Sequence, residues 1–282
     1  MPAPLLLLAL ALLGLAGHAL AAPDDDLGSL IKQVATLVEA GRYEEAIPIQ
    51  EKLVGIVTQT LGSEHPQTAL TLSNLAFFYA KVGDYAKAEP LYRQALAIQH
   101  KVPGEDLDTA ATLNGLGYLY TTLHEYAKAE PLYQEALHIR QKVLGPGHPD
   151  TSLSLDNLGV VYDNLHEYGM AEPLYQEALA IREKVLGPED PITAVTLNNL
   201  AHLYANMGEY GKAEPLYLRV LAIRRKVSGP ESLDTAISLN DLGILYTYMG
   251  RYSEAEPLLK QALAVREKVL GSEHRDTATS TS

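Results

Sequence analysis

The chain repeats itself six times. The turn triplets Gly41-Arg42-Tyr43, Gly83-Asp84-Tyr85, His124-Glu125-Tyr126, His166-Glu167-Tyr168, Gly208-Glu209-Tyr210 and Gly250-Arg251-Tyr252 recur at intervals of 42, 41, 42, 42 and 42 residues. Three residues after each tyrosine stands an alanine (Ala46, Ala88, Ala129, Ala171, Ala213, Ala255), and five after it a proline (Pro48, Pro90, Pro131, Pro173, Pro215, Pro257). A fixed period of this size marks an array of small units, none of which can bury its apolar surface alone. It therefore constrains the fold more than any local motif. The one short interval comes from Lys101–Thr109, a residue briefer than Lys142–Thr151.

Inside one repeat the apolar residues form two stripes at helical spacing: Leu197, Leu200, Ala201 and Tyr204, then Ala213, Leu216, Tyr217, Val220, Leu221 and Ile223. Gly208 separates the two helices. Gly187-Pro188-Glu189-Asp190-Pro191 separates this hairpin from the one before, with Asp190 suited to the N-cap and Pro191 to the first helical position. The proline within each second helix lies within about two turns of the helix start, where it predicts a shared slight bend rather than a break. Alanine opposite leucine or tyrosine is what close helix packing requires, and stacked hairpins cover both stripes where a lone one cannot. The sequence thus predicts an all-α protein, a right-handed α-solenoid of stacked antiparallel helical hairpins over residues 27–275. Leu27–Ala40 has the length of a first helix without the Leu-Asn-Asn-Leu signature and reads as a degenerate cap. Residues 276–282, opening with Asp276-Thr277-Ala278, are a remnant or the start of a seventh unit.

The segments Thr196-Leu197-Asn198-Asn199-Leu200-Ala201, Ala213-Glu214-Pro215-Leu216-Tyr217 and Ile181-Arg182-Glu183-Lys184-Val185-Leu186-Gly187 resemble the long tetratricopeptide repeats of kinesin light chains. The likeness spans residues 27 to 275 in six in-register copies. It implies a concave surface lined by first helices, where asparagines hold the backbone of an extended peptide.

Residues 1–22 read as a secretory signal peptide: an apolar run from Leu5 to Leu15, then the small-x-small pattern Ala19-Leu20-Ala21. The start lacks a basic residue, so an uncleaved anchor is the alternative, and only in that case is a membrane expected as a partner. Localisation is expected to be extracytoplasmic, periplasmic or secreted. With no cysteine, disulfides, thiolate metal sites and cysteine nucleophiles are closed. A net charge of −13 disfavours nucleic acid and anionic membrane surfaces.

No Gly-rich phosphate loop, His-Glu-x-x-His or Gly-x-Ser-x-Gly string occurs. His124 and His166 fall in hairpin turns, and His65, His148 and His274 in loops between units, too far apart to share a metal. Paired carboxylates such as Glu105-Asp106 and Glu189-Asp190 read as solvated faces and helix-start charge. No enzyme activity, cofactor or small-molecule substrate is expected.

Fifteen of the seventeen tyrosines fall in repeat columns and read as core; Tyr118 and Tyr248 lie on the opposite face of the first helix. Two polar columns share that face: Ser73, Asn114, Asp156, Asn198, Asn240, and beside it Asn74, Gly115, Asn157, Asn199, Asp241. Asparagine is poor helix material, so its recurrence needs a cause: side-chain bonds to a neighbouring unit or, as the resemblance implies for Asn74, Asn157 and Asn199, contact with a ligand's main chain, in a column that Gly115 and Asp241 break. Further along come Phe77, Tyr118, Val160, His202, Ile244, then Lys81, Thr122, Asn164, Asn206, Tyr248. Kinesin light chain relatives that clamp a carboxylate use Lys and Arg at such positions, and these are absent here apart from Lys81. The expected function is a non-catalytic scaffold that holds an extended, neutral-to-basic peptide of a partner protein in its groove. The alternative is an architectural or regulatory portion of a larger signalling or enzymatic protein.

Overall fold

The computed structural model describes residues 27–102, 104 and 106–271. The leader and residues 276–282 lie outside them. The described residues form twelve helices: α1 (Leu27–Glu39), α2 (Tyr43–Leu61), α3 (Pro66–Lys81), α4 (Tyr85–Gln99), α5 (Leu107–Thr122), α6 (Tyr126–Leu144), α7 (Pro149–Asn164), α8 (Tyr168–Val185), α9 (Pro191–Asn206), α10 (Tyr210–Val227), α11 (Leu233–Tyr248) and α12 (Tyr252–Leu270). Odd-numbered helices open hairpins and even-numbered ones close them. Contacts group them into two compact units of three hairpins, Met1–Gly145 and Pro146–Ser282. Within a unit, each second helix packs on its own first helix and on the first helix of the next hairpin. The fold is the all-α solenoid of stacked hairpins that the period predicts.

The hairpin turn places one residue in the left-handed region: Gly41, Gly83, Gly208 and Gly250, but His124 (φ 59°) and His166 (φ 60°) in hairpins 3 and 4. A side chain there is strained. Each imidazole Nδ1 meets the hydroxyl of the tyrosine two residues on, at 2.7 Å for Tyr126 and 2.8 Å for Tyr168. The second helices continue through their prolines.

The alanine column of the second helix is buried throughout. In hairpins 3 and 4 the tyrosine four residues further on lies against the first helix of its own hairpin: a Cβ added at Gly117 would stand 2.9 Å from the Tyr133 ring, and one at Gly159 2.7 Å from Tyr175. These rings are buried, and burial pushes Tyr133 up to about 12. Not every tyrosine of the fifteen is core, however. Those that open the second helices are half-buried, and Tyr252 is 67% exposed, with no following hairpin among the described residues to cover it.

Hairpins are latched by polar bonds at two places. At three junctions the tyrosine near the end of a first helix donates to a glutamate on the preceding second helix: Tyr120 to Glu89 (2.7 Å), Tyr204 to Glu172 (2.8 Å) and Tyr246 to Glu214 (3.0 Å). These glutamates precede the repeated prolines, so they are structural acceptors and not only a solvated face. A cation from the next helix covers each ring: Lys128 over Tyr120, Lys212 over Tyr204 and Arg251 over Tyr246. Hairpin 1 lacks that glutamate, and Tyr79 donates to Glu51 instead. The second latch joins first helices directly, through Thr112 to Ser73 (3.0 Å) and Thr196 to Asp156 (2.9 Å). Asp156 also pairs with Arg182, which donates to Ser152 Oγ, Thr196 Oγ1 and the Ile192 carbonyl.

The first helices from α3 onward start on side-chain caps. Asp106, Asp190 and Ser232 accept from backbone N–H groups of α5, α9 and α11. In α3 and α7 the acceptor is an imidazole: His65 Nδ1 takes the Gln67 N–H and His148 Nδ1 the Asp150 N–H, both at 3.1 Å. A protonated imidazole cannot accept, and it sets a positive charge on the positive end of the helix dipole. His148 also has the Asp150 carboxylate 3.8 Å away, which partly compensates. His65→Ala and His148→Ala should each lower the protection of the first turn of α3 and of α7 against hydrogen exchange about fivefold, while α5, α9 and α11 hold. Unchanged protection in the variants would refute the capping role.

Burial pushes the Asp156 carboxyl up to about 6, against the opposing pull of Arg182 and Thr196. An unfolded aspartate titrates near 3.9, so the native form binds the proton more tightly. That contribution is full below about pH 4 and lost as pH rises through about 6. Relative to Asp156→Asn, the parent chain should therefore lose stability over this window. At neutral pH the pair is ionised, and Asp156→Ala, which strands Arg182, should cost about 3–5 kcal/mol by urea unfolding. Adding Arg182→Met should recover most of it; no recovery would mean that the ion pair is not the cause.

Candidate functional site

The two polar columns of the first helices have different surroundings. Ser73 and Asp156 are buried and bonded to the next hairpin. In the same column Asn114, Asn198 and Asn240 are half-buried, and Asn198 Oδ1 is closed to solvent. This column lies at the seam between hairpins, where neighbour bonding accounts for its polarity at Ser73 and Asp156.

The second column, one residue on, reaches further out. Asn74, Asn157, Asn199 and Asp241 are half-buried, and Asn74 Nδ2 and Asp241 Oδ2 make no hydrogen bond among the described residues. Gly115 interrupts the row for a steric reason: a Cβ there would stand 2.7 Å from the Tyr92 hydroxyl of the preceding hairpin.

Beyond the amides the face opens. In the first unit Tyr118 is 52% exposed, Phe77 packs edge-on to Tyr43, and Lys81 Nζ lies 5.2 Å from the Phe77 ring centre and 5.7 Å from that of Tyr118. That lysine is held over aromatic faces. In the second unit Asn164, Asn206 and Tyr248 are exposed, with Tyr248 stacked on Tyr210 of the preceding hairpin (6.2 Å, 7°). Asn164 donates to the Val160 carbonyl and Asn206 to Asp163. His202 stands between two hairpins, its Nδ1 2.9 Å from the Tyr217 hydroxyl and its Nε2 3.6 Å from Asp241. Burial pushes the tyrosine's pKa upward, so its hydroxyl stays protonated beside the imidazole. Burial likewise raises the Asp163 carboxyl, while His202 and the Asn206 bond pull it down.

One row escaped the sequence reading. Four residues before the amide column come Leu70, Ala111, Leu153, Val195 and Ile237, of which Val195 is 48% and Ile237 43% exposed. With Ile244, 41% exposed, they border the amides of the second unit with apolar surface on both sides. The signal was present in the sequence, as an apolar residue one turn before each amide on the same helix face.

Among the described residues, no three His, Asp or Glu side chains are placed to share a metal, and no helix is long and apolar enough to cross a membrane. The first-helix face offers amide donors and acceptors, apolar shelves and aromatic rings.

Comparison with known proteins agrees with this architecture. A tetratricopeptide repeat family model matches in overlapping copies over residues 28–101, 67–140, 108–184, 164–214 and 192–268. Comparison with curated protein sequences gives no match. Among solved structures, BtubC (BKLC) from P. vanneervenii is similar at 24% identity and TM-score 0.66, over 88% of this chain and 94% of that one. A putative kinesin light chain from Podosopora anserina with nearly identical repeats is 28% identical with TM-score 0.64, over 73% and 98% of the two chains. PilW, a type IV pilus biogenesis factor, shares the fold at 17% identity and TM-score 0.65, over 92% and 100%. With the period, the hairpins and the family model in agreement, the chain belongs to the tetratricopeptide repeat family, whose kinesin light chain-like members its repeats resemble.

Proposed function

We propose that the chain is a non-catalytic scaffold that takes an extended peptide segment of a partner protein onto its first-helix face. A tetratricopeptide array is a scaffold typical of protein–protein interaction. The observation that carries the finer reading is the amide column: half-buried Asn157 and Asn199, bordered by exposed apolar residues. An amide at the edge of an apolar surface carries two donors and an acceptor, and a ligand backbone offers groups of both kinds. The partner is neutral to basic, because the face in the second unit carries Asp163 and Asp241 but no Lys or Arg along the Leu153, Asn157, Val160 and Asn164 columns. An acidic peptide would meet repulsion without a clamp. The apolar run and small-x-small pattern in residues 1–22 support an extracytoplasmic location for this activity.

Asn157→Ala with Asn199→Ala removes two bonds of about 1 kcal/mol each, so affinity for a partner captured by the parent chain should fall about thirtyfold by calorimetry. Lys260→Ala, on the second helix of hairpin 6, should leave it unchanged. Undiminished binding by the double variant would overturn the amide mechanism.

A further inference from the structure

In the second unit the first helices α7, α9 and α11 carry aspartates but not one lysine or arginine. Past the first turns these aspartates differ in what holds them. Asp156 pairs with Arg182 and accepts from Thr196, and Asp163 accepts from Asn206. Asp241 Oδ2 accepts no hydrogen bond among the described residues. Across the seam His202 Nε2 stands 3.6 Å from it, beyond hydrogen-bond reach, and that ring is a cation only when protonated. Burial, then the charges of Asp241 and Asp163, push the Tyr217 hydroxyl upward. The two carboxylates therefore set a negative potential at one place.

The rest of that place is apolar. Ile237 comes four residues before Asp241 and Ile244 three after it, so both stand on its side of α11, and they are 43% and 41% exposed. The Asp241 side chain keeps 12% of its surface open. This arrangement suits a side chain with an aliphatic stem and a cationic head: the stem lies on the isoleucines and the head meets the carboxylate. With the carboxylate largely withdrawn from water, the attraction is screened less than on an open surface. A neutral polar side chain answers no charge there, and an acidic one is repelled. The first unit shows the same face handling a cation within the chain, with Lys81 Nζ between the Phe77 and Tyr118 rings. The second unit has no such lysine of its own; in that column stand Asn164, Asn206 and Tyr248.

Resting on the peptide-binding reading, we infer that Asp241 receives one lysine or arginine side chain of the bound segment, with the stem of that side chain laid on Ile237 and Ile244. The occupant is a basic segment of a partner protein, and this residue fixes where the segment sits.

The test is selection of a phage-displayed library of random nine-residue peptides on the full chain, with the most enriched peptide then synthesised, labelled and measured by fluorescence anisotropy. Enriched peptides should share a lysine or arginine at one position. Selection on Asp241→Lys should replace it by aspartate or glutamate, an outcome that misfolding does not give. Asp241→Asn should weaken the peptide about tenfold, glutamine at its basic position should do the same on the parent chain, and the two together should cost no more than either alone. Glu256→Gln, which removes the same charge from α12, should change nothing. Peptides with no shared basic position, a basic preference that survives Asp241→Lys, or losses that add, overturn the inference. If peptides of that kind still weaken on Asn199→Ala, the basic-side-chain assignment falls and the peptide-binding reading stands. If no peptide is enriched over a chain-free control, both fall.

Discussion

Each hairpin leaves apolar surface uncovered, and what aligns one hairpin on the next is a small set of polar bonds laid across that surface. Hydrophobic burial drives stacking but has no direction. The donation from Tyr204 to Glu172 and the bonds around Asp156, Arg182 and Thr196 do have direction, and they set which side chains meet. Everything on the first-helix face inherits its spacing from these contacts. Repetition along the chain becomes repetition in space because the same bonds recur.

The arrangement was legible in the sequence to the extent that it is periodic. Helix boundaries, the Asp190 cap and Pro191 at the start of α9 follow from residue types at fixed offsets. The role of Glu89 and Glu172, each just before a repeated proline, was harder, because the partner lies about thirty residues away and nothing local distinguishes an acceptor from a solvated charge. The imidazole caps of α3 and α7 were hidden for another reason: histidine is rare in that position, and only the 3.1 Å approach of a backbone N–H reveals it.

The candidate site divides along the same line. Two adjacent columns of asparagine look alike on a helical wheel, and a rotation of about 100° separates the seam from the open face. Sequence placed both on one side of the helix but could not tell which column would bond its neighbour. The apolar row of Val195 and Ile237 went unremarked because apolar residues in a helix are read as core until exposure shows otherwise. Exposure of these residues beside half-buried amides gives the face its amphipathic striping.

The fit of Tyr175 onto Gly159 and of Tyr133 onto Gly117 ties one half of a hairpin to the other, whereas the fit of Tyr92 against Gly115 ties two successive hairpins together. Segments of this chain are therefore not freely interchangeable despite their similarity. A lineage could duplicate or delete hairpins 2 and 3 as a joint block with little repacking. Recombination that divides them, giving Tyr92 a neighbour with a side chain in the place of Gly115, would require that ring to move from where it now rests. Inheritance in such an array is constrained by blocks of unequal size, even though the written period is nearly constant.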